Sequence, residues 1–342
     1  MKLPLPAMNT PTDAPEICWG VLAPGGIATA FAEAVATGTA SRVVAVGSRS
    51  LERARTFAAK HQIQWAYGSY EDLVTDDHID AIYVASPHSQ HYEHAMLALD
   101  AGKPVLVEKA FTRNCAEARE VLGLAGERGL LAAEAMWSRY LPHYAVARAA
   151  VEMGLLGEIV VLYADHGQRL WPDGPERLWR PELAGGSLLD LGVYPLSFAD
   201  HMLGPAASVI ASGALTNAGV DASTAITLSF PSGAQAVLTS TMRAATPNTA
   251  VIVGTTARIE LSGPFYCPSV VRLVAPDGSV LDEQDWRLPG QPGGFSYQAA
   301  EFARALNEGQ RETHSMPHSA TLRVMATMDD VRRQIGVRYP GE

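Results

Sequence analysis

Ile17-Cys18-Trp19-Gly20-Val21-Leu22-Ala23-Pro24-Gly25-Gly26-Ile27-Ala28 is an apolar run that ends in a glycine turn and opens into a helix-like stretch, Ile27–Ala36. A strand buried on both faces of a parallel sheet is apolar throughout, as Ile17–Ala23 is. The turn stands where a dinucleotide fingerprint, G-x-G-x-x-G/A, is expected. Gly25 and Gly26 let a pyrophosphate approach the backbone, and Ile27 opens a helix whose first N–H groups have no internal partner. Ala28 permits close packing of helix on strand. Ala23 stands where the motif usually has its first glycine. Without a ligand the same residues describe a tight strand-to-helix turn.

Outward from this turn the pattern repeats. Arg42–Gly47, Ala81–Ala85, Val105–Val107 and Leu130–Ala135 are further strand candidates, separated by helical stretches at Leu51–His61, Tyr92–Ala101 and Ala116–Gly126. Alternating strands and helices indicate a parallel sheet covered on both faces. After Trp137 the texture changes. Ile159–Ala164, Val209–Leu215, Ser223–Phe230, Gln235–Thr241, Thr249–Val253, Arg258–Leu261 and Val270–Ala275 follow one another with few helices between them. Pro231-Ser232-Gly233 and Pro276-Asp277-Gly278 have hairpin chemistry. The expected fold class is an α/β Rossmann dinucleotide-binding domain with a parallel sheet, joined to an α+β domain with a large, mostly antiparallel open sheet. The expected division is a disordered leader over residues 1–15, with Met8 as an alternative start, a nucleotide-binding domain over 16–137, and a substrate-binding and oligomerisation domain over 138–342.

Composition narrows the partners. The 342 residues carry 26 Lys plus Arg against 36 Asp plus Glu, a net charge of −10, so a global basic footprint for nucleic acid is missing. No uncharged apolar run reaches the roughly 18 residues of a spanning helix, so no membrane partner is expected. Cys18, Cys115 and Cys267 are far apart and odd in number, which fits a reducing, cytoplasmic compartment better than a disulfide framework. His88, His91 and His94 are spaced i, i+3, i+6, which rotates the third away from the first on a helix, so no metal site is expected.

The second strand ends in Gly47-Ser48-Arg49-Ser50, with no acid near the place where an NAD enzyme usually binds the ribose 2′-OH. Ser48, Arg49 and Arg53 suit a 2′-phosphate, so NADP is favoured over NAD. Glu108-Lys109 closes the fourth strand at the carboxyl edge, where ligands bind in open α/β sheets. Asp190 and Tyr194 are four apart and share a face if their segment is helical.

Taken together, Gly20–Ala28, Ser86-Pro87-His88-Ser89-Gln90-His91, Glu108-Lys109 and Gly185-Gly186-Ser187-Leu188-Leu189-Asp190-Leu191-Gly192-Val193-Tyr194 resemble the glucose-fructose oxidoreductase / inositol dehydrogenase-like (Gfo/Idh/MocA) family. Glu134–Arg139 and Asp330–Gly336 are similar to its dimeric dihydrodiol dehydrogenase and NADP-dependent D-xylose dehydrogenase branch. The resemblance runs from Ile17 to Pro340. It implies an NADP-dependent dehydrogenase that moves a hydride between nicotinamide and a CH–OH carbon of a sugar, polyol or trans-dihydrodiol. Lys109 and Tyr194 would stand at the reacting oxygen, with Asp190 orienting a partner. A phenol ionises near pH 10, so acting as a base requires a shift of roughly 2–3 pH units. Ser86, Pro87, His91, Glu108 and Lys109 would line the cofactor's nicotinamide half, and Trp137, His166 and Tyr266 the substrate pocket. His166 and Tyr266 replace an expected Phe and Trp, which favours hydroxyl-rich substrates. Ala110 follows Lys109 where the family usually has Pro. The resemblance also implies a homodimer or homotetramer through the C-terminal sheet. The alternative is a non-catalytic NADP-binding sensor of the same fold, which would not need Lys109, Asp190 and Tyr194 together.

Overall fold

The computed structural model describes residues 1–5, 9–288 and 294–342. They form two compact units, one of residues 9–137 and 294–322, the other of residues 1–5, 138–288 and 323–342. In the first unit β1 (Cys18–Leu22), α1 (Gly26–Gly38), β2 (Arg42–Gly47), α2 (Leu51–His61), β3 (Trp65–Tyr67), α3 (Tyr70–Val74), β4 (Ala81–Val84), α4 (His91–Asp100), β5 (Val105–Glu108), α5 (Cys115–Arg128) and β6 (Ala132–Ala135) follow in order. Their sheet has the order β3-β2-β1-β4-β5-β6 and every pairing is parallel. This is the doubly wound order, whose switch point between β1 and β4 opens a crevice at the carboxyl edge. The elements begin and end by local chemistry. Asn114 caps α5 by accepting from the Glu117 N–H at 3.0 Å, and Gly129, with φ +69°, lets the chain leave it. β3 and α3 have three and five residues, too short for periodicity to reveal.

The second unit carries α6 (Pro142–Glu152), β7 (Ile159–Gly167), α7 (Val193–Leu203), β8 (Ser208–Leu215), β9 (Asp221–Ser229), β10 (Gln235–Thr241), β11 (Ala250–Gly254), β12 (Arg258–Leu261), β13 (Val270–Val274) and β14 (Val280–Asp285). Its sheet runs β14-β13-β12-β11-β7-β10-β9-β8, antiparallel at every pairing except β7 with β10. Along β10 buried and exposed residues alternate strictly from Gln235 to Ser240. The buried side takes Ala236 and Leu238, while Val237 points outward and aligns with Tyr163 of β7 and Thr227 of β9, which in turn aligns with Ile210 of β8. Tyr163 is 49% and Ile210 70% exposed, so an apolar row crosses the outer face.

Two expectations about the domain division need correction. Residues 294–322, expected in the second domain, group with the first unit. They include α8 (Phe295–Asn307), which buries Ala299, Ala303 and Phe302 in the same core as α1. Phe302 packs on Trp19 at 5.0 Å, Trp19 meets Phe31 edge-on at 5.2 Å, and Phe31 stacks on Tyr83 at 3.7 Å. Apolar residues at i, i+3 and i+4 of α8 thus complete the core of the first unit. The last helix, α9 (His318–Ile335), belongs to the second unit from Arg323 on. The expected disordered leader is instead tied down. Leu3 is buried and its N–H donates to Asp282 on edge strand β14 at 2.8 Å, while Arg304 of α8 donates to the Thr10 carbonyl at 2.6 Å. Pro6, Ala7 and Met8 of that leader, with Met8 its alternative start, lie outside the described residues.

The turn after β1 is held by the Ala23 N–H donating to the Gly47 carbonyl at 3.1 Å. Ala23 has φ +72°, in the left-handed region where a Cβ crowds the following carbonyl. Ala23→Gly removes that crowding and restores the glycine the fingerprint usually has. The expected gain is roughly 0.5–1 kcal/mol, after the added freedom of the unfolded glycine is subtracted. Thermal unfolding checks it, and a lower melting temperature for the variant would contradict the strain.

Candidate active site

A parallel sheet points all its carboxyl ends one way, so the loops after β1, β2, β4 and β5 share one edge of the first unit. At the first loop, Gly25 caps α1 with no side-chain hydrogen bond. A Cβ built on Gly25 or Gly26 would meet nothing within 4 Å. The protein's own packing therefore does not require glycine there, and the bare backbone with its uncapped N–H groups suits a pyrophosphate. Ala28 is fully buried against the sheet, as close helix packing requires, and Ile27 is partly buried. At the second loop Ser48 is buried and its Oγ accepts from the Ser50 N–H at 3.3 Å. Arg49 and Arg53 are exposed and make no ion pair among the described residues. The Arg53 guanidinium reaches the Pro24 carbonyl at 3.5 Å, so it stands next to the glycine turn. These groups fit the phosphates of NADP.

The third and fourth loops are fastened to each other. His91 is fully buried, with Nδ1 2.8 Å from the Ala110 carbonyl and Nε2 2.7 Å from the Ser86 carbonyl. Burial pushes its pKa down to about 4, with the Lys109 charge adding in the same direction against the carbonyls. The ring is neutral at pH 7 and donates to one carbonyl at a time, because an imidazolium sealed beside an ammonium costs more than a second bond returns. His91 thus braces two loops and is sealed from ligand, which corrects its expected place on the cofactor. His94 meets the Ser86 hydroxyl at 2.9 Å and burial lowers it also to about 4. The Glu108 carboxylate is buried and accepts from the Tyr83 hydroxyl of β4. Lys109 follows at the strand's end, half-buried, and the Lys109–Ala110 peptide is cis. Pro87 begins the short turn that carries His88. Trp137 is buried in this unit and packs on Phe295 at 5.0 Å.

The second unit gathers a cluster of its own around a proline. Leu188–Gly192 forms a wide π-type turn that runs into α7, and Pro195 falls in the first turn of that helix. Pro195 has no N–H for the Leu191 carbonyl four residues earlier. His166 of β7 stands there instead, its Nδ1 3.1 Å from the Leu191 oxygen. The bond fixes the tautomer with Nδ1 protonated, so Nε2 is the acceptor for Gln168 Nε2 at 2.9 Å. Gln168 also reaches the Tyr266 hydroxyl at 3.3 Å. His166 stacks on Tyr266 at 4.1 Å and meets Tyr194 edge-on at 5.1 Å, and Tyr194 lies 4.9 Å from Tyr266. Three residues expected at the site therefore form one cluster. Burial pushes the Tyr266 phenol up to about 12, so it stays protonated while it accepts from Gln168. Asp190 is buried and its Oδ1 accepts from Arg177 Nη1 at 3.1 Å. At the far end of α7 Asp200 accepts from Arg139 at 2.8 Å and from Arg323 at 2.7 and 3.0 Å.

Arg177 and Gln168 were not singled out from sequence. Arg177 lies in a single 3-10 turn, Glu176–Trp179, too short for periodicity, and its pairing with Asp190 leaves no spacing signal. Gln168 follows β7 directly, so its distance from His166 in sequence was the available clue. Among the described residues no group of three or more His, Cys, Asp or Glu side chains is placed to hold a metal. Among them, also, no helix is long and apolar enough to cross a membrane.

Comparison with known proteins bears on both units. Residues 18–135 match the oxidoreductase family with an NAD-binding Rossmann fold, and residues 144–260 match the GFO/IDH/MocA C-terminal domain. The chain is 35% identical to a D-xylose 1-dehydrogenase (NADP(+)) of Hypocrea jecorina, covering 94% of this chain and 93% of that protein. It is 34% identical to a trans-1,2-dihydrobenzene-1,2-diol dehydrogenase of Macaca fuscata fuscata, covering 94% and 98%. A 3-ketoreductase from Actinomadura kijaniata, solved with TDP-benzene and NADP, superposes with a TM-score of 0.80 at 28% identity, over 94% of this chain and 98% of that one.

The sealed histidines predict a pH dependence. His91, His94 and His143 are each held near 4 by burial, below the unfolded value of about 6.5. The unfolded chain binds more protons between these values, so their stabilisation is complete above pH 6.5 and is lost as pH falls towards 4. Each contributes a slope of about 1.4 kcal/mol per pH unit in that window. Asp221, which burial raises to about 6, works the other way but is one group against three. Denaturant unfolding at pH 7 and pH 5 should show a net loss of several kcal/mol, and a flat profile would mean that the rings are not sealed.

Proposed function

The chain belongs to the GFO/IDH/MocA family of NAD(P)-binding oxidoreductases, and from that premise we propose that it is an NADP-dependent dehydrogenase acting on the CH–OH group of a sugar, polyol or trans-dihydrodiol. One observation carries the reading. The bare Gly25–Gly26 turn and Lys109 stand at one carboxyl edge, separated only by β4. Two strand spacings put them roughly 10 Å apart across the sheet, a reach suited to a dinucleotide with its phosphates at one and its reactive ring near the other. The unpaired Arg49 and Arg53, with no acid at the end of β2, support NADP over NAD. The NADP of the D-xylose dehydrogenase and ketoreductase relatives supports the same choice.

When bound, the nicotinamide supplies the hydride acceptor or donor. The chain's own residues handle the proton and the oxygen. Lys109 offers an ammonium that stabilises negative charge on the substrate oxygen as the alcohol is deprotonated. Tyr194 exchanges the proton through its phenol. Arg177 offsets the negative charge of Asp190, which stands one helical turn before Tyr194, so that carboxylate opposes a phenolate less than it would alone. Gln168 and Tyr266 offer polar groups to substrate hydroxyls, His166 holds both from behind with its two ring nitrogens already engaged, and Trp137 is the apolar contributor. Cys18, Cys115 and Cys267 form no disulfide among the described residues, which fits a cytoplasmic protein. The apolar row of Tyr163, Val237 and Ile210 fits a homodimer formed through the second sheet.

Titration with NADP+ and NAD+, followed by absorbance of the reduced nicotinamide with D-xylose, D-glucose, inositol and a trans-dihydrodiol, tests the activity. Turnover with NADP+ is expected. Lys109→Met and Tyr194→Phe should each lower kcat by at least about 100-fold. Arg49→Ala with Arg53→Ala should weaken NADP+ binding by roughly 10- to 100-fold and leave NAD+ binding unchanged. Tight NADP+ binding with no turnover across the panel would make the protein a sensor instead. The oligomer has its own test. Light scattering should find a dimer for the wild type and a monomer for Tyr163→Glu with Ile210→Glu, and an unchanged mass in the variant would reject this face.

A further inference from the structure

The strap Gly185–Leu188 leads into the turn that carries Asp190 and then into α7 with Tyr194. It is held from behind at both ends. The Tyr339 hydroxyl donates to the Gly185 carbonyl at 2.7 Å. Asp221 Oδ2 accepts from the Leu188 N–H at 2.7 Å. Between these points Gly186 has φ +117°, and a Cβ there would collide with Asp221 Oδ1, so the carboxylate rests on bare backbone. Ser187 reaches Ser240 at 3.0 Å, and Ser240 shares a 2.6 Å hydrogen bond with Thr224. Tyr339 is fixed in turn. Its ring lies under the Arg332 guanidinium at 4.8 Å, and Glu342 accepts from both Arg332, at 2.9 Å, and the Tyr339 N–H, at 3.1 Å.

Asp221 and Tyr339 are buried and reach the strap through its backbone. Asp221 is an expensive way to fill that space. It is fully buried, and among the described residues its Oδ1 has no hydrogen-bond partner. Burial raises its pKa to about 6, with the backbone N–H groups of Leu188, Asp221 and Ser187 and the Arg332 charge opposing. An apolar residue of similar volume would be the more stable filling. What the carboxylate provides is a placed acceptor facing the backbone N–H groups of the strap, that of Leu188 above all.

We propose that Tyr339 and Asp221 are positioning residues, which set where Asp190 and Tyr194 stand by fixing the backbone of Gly185–Leu188. The assignment of Asp190 and Tyr194 to the reaction rests on the proposed dehydrogenase, so the test needs one readout that does not. Amide hydrogen exchange over residues 185–195 supplies it, alongside kcat, KM and NADP+ affinity, in Tyr339→Phe and Asp221→Asn. Tyr339→Phe loses only a hydroxyl and should exchange about tenfold faster over this segment. Its kcat should fall about tenfold with NADP+ affinity unchanged. Asp221→Asn keeps an acceptor for the Leu188 N–H and should stay within about threefold of wild type in both readouts. Unchanged exchange in Tyr339→Phe would overturn the proposal, as would faster exchange with an unaltered kcat. If the wild type turns over no CH–OH substrate, the dehydrogenase reading fails, and the exchange result alone decides whether Tyr339 braces the strap.

Discussion

Parallel pairing is the constraint on which the nucleotide half depends. Once β1, β2, β4 and β5 lie parallel, the residues that follow them have to emerge along one edge. Gly25, Ser48, Ser86 and Lys109 are far apart in sequence and need no further device to be brought together. What remains is to hold the loops at the right height. His91 does this by lying between two carbonyls, and Tyr83 does it by engaging the Glu108 carboxylate just before Lys109. The interior that supports them is aromatic, with Trp19, Phe31, Tyr83 and Phe302 in sequential contact.

The second unit solves a different problem, because antiparallel strands do not gather their ends on one side. Its aromatic and polar cluster is organised by a defect in a helix. Pro195 withholds one hydrogen bond, a ring nitrogen of His166 takes its place, and the imidazole is thereby fixed in tautomer and plane. Gln168, Tyr266 and Tyr194 then arrange themselves around that ring. A missing donor in the backbone thus becomes the reference point for four side chains.

Much of this was legible in the residues. The β1 turn, most of the strands and the change of texture after Trp137 follow from hydrophobic pattern and turn chemistry, which act locally. Tyr194, His166 and Tyr266 followed from resemblance alone, and spacing would not have joined them. Other features depend on partners distant in sequence. β14 is an edge strand of sequence Val-Leu-Asp-Glu-Gln-Asp, whose charges hide its pairing with β13. α8 follows the strands of one unit but packs in the core of the other, and only its apolar stripe hinted at burial. His91 was expected on the cofactor from the resemblance of its loop, which says nothing of burial, and burial is what makes it a brace.

The single parallel pair of the second sheet carries a consequence for how the chain assembles. β7 lies at the centre of that sheet, yet both of its neighbours, β10 and β11, come later in the sequence. The segment between Gly167 and Gln235 must be made before the first of these pairings can close. Local helices can form as the chain leaves the ribosome, but the middle strand has to wait, with both edges open and Tyr163 on its outer face. The half of the molecule that carries Tyr194 is therefore the slower to assemble and the more exposed to wrong partners while it does so.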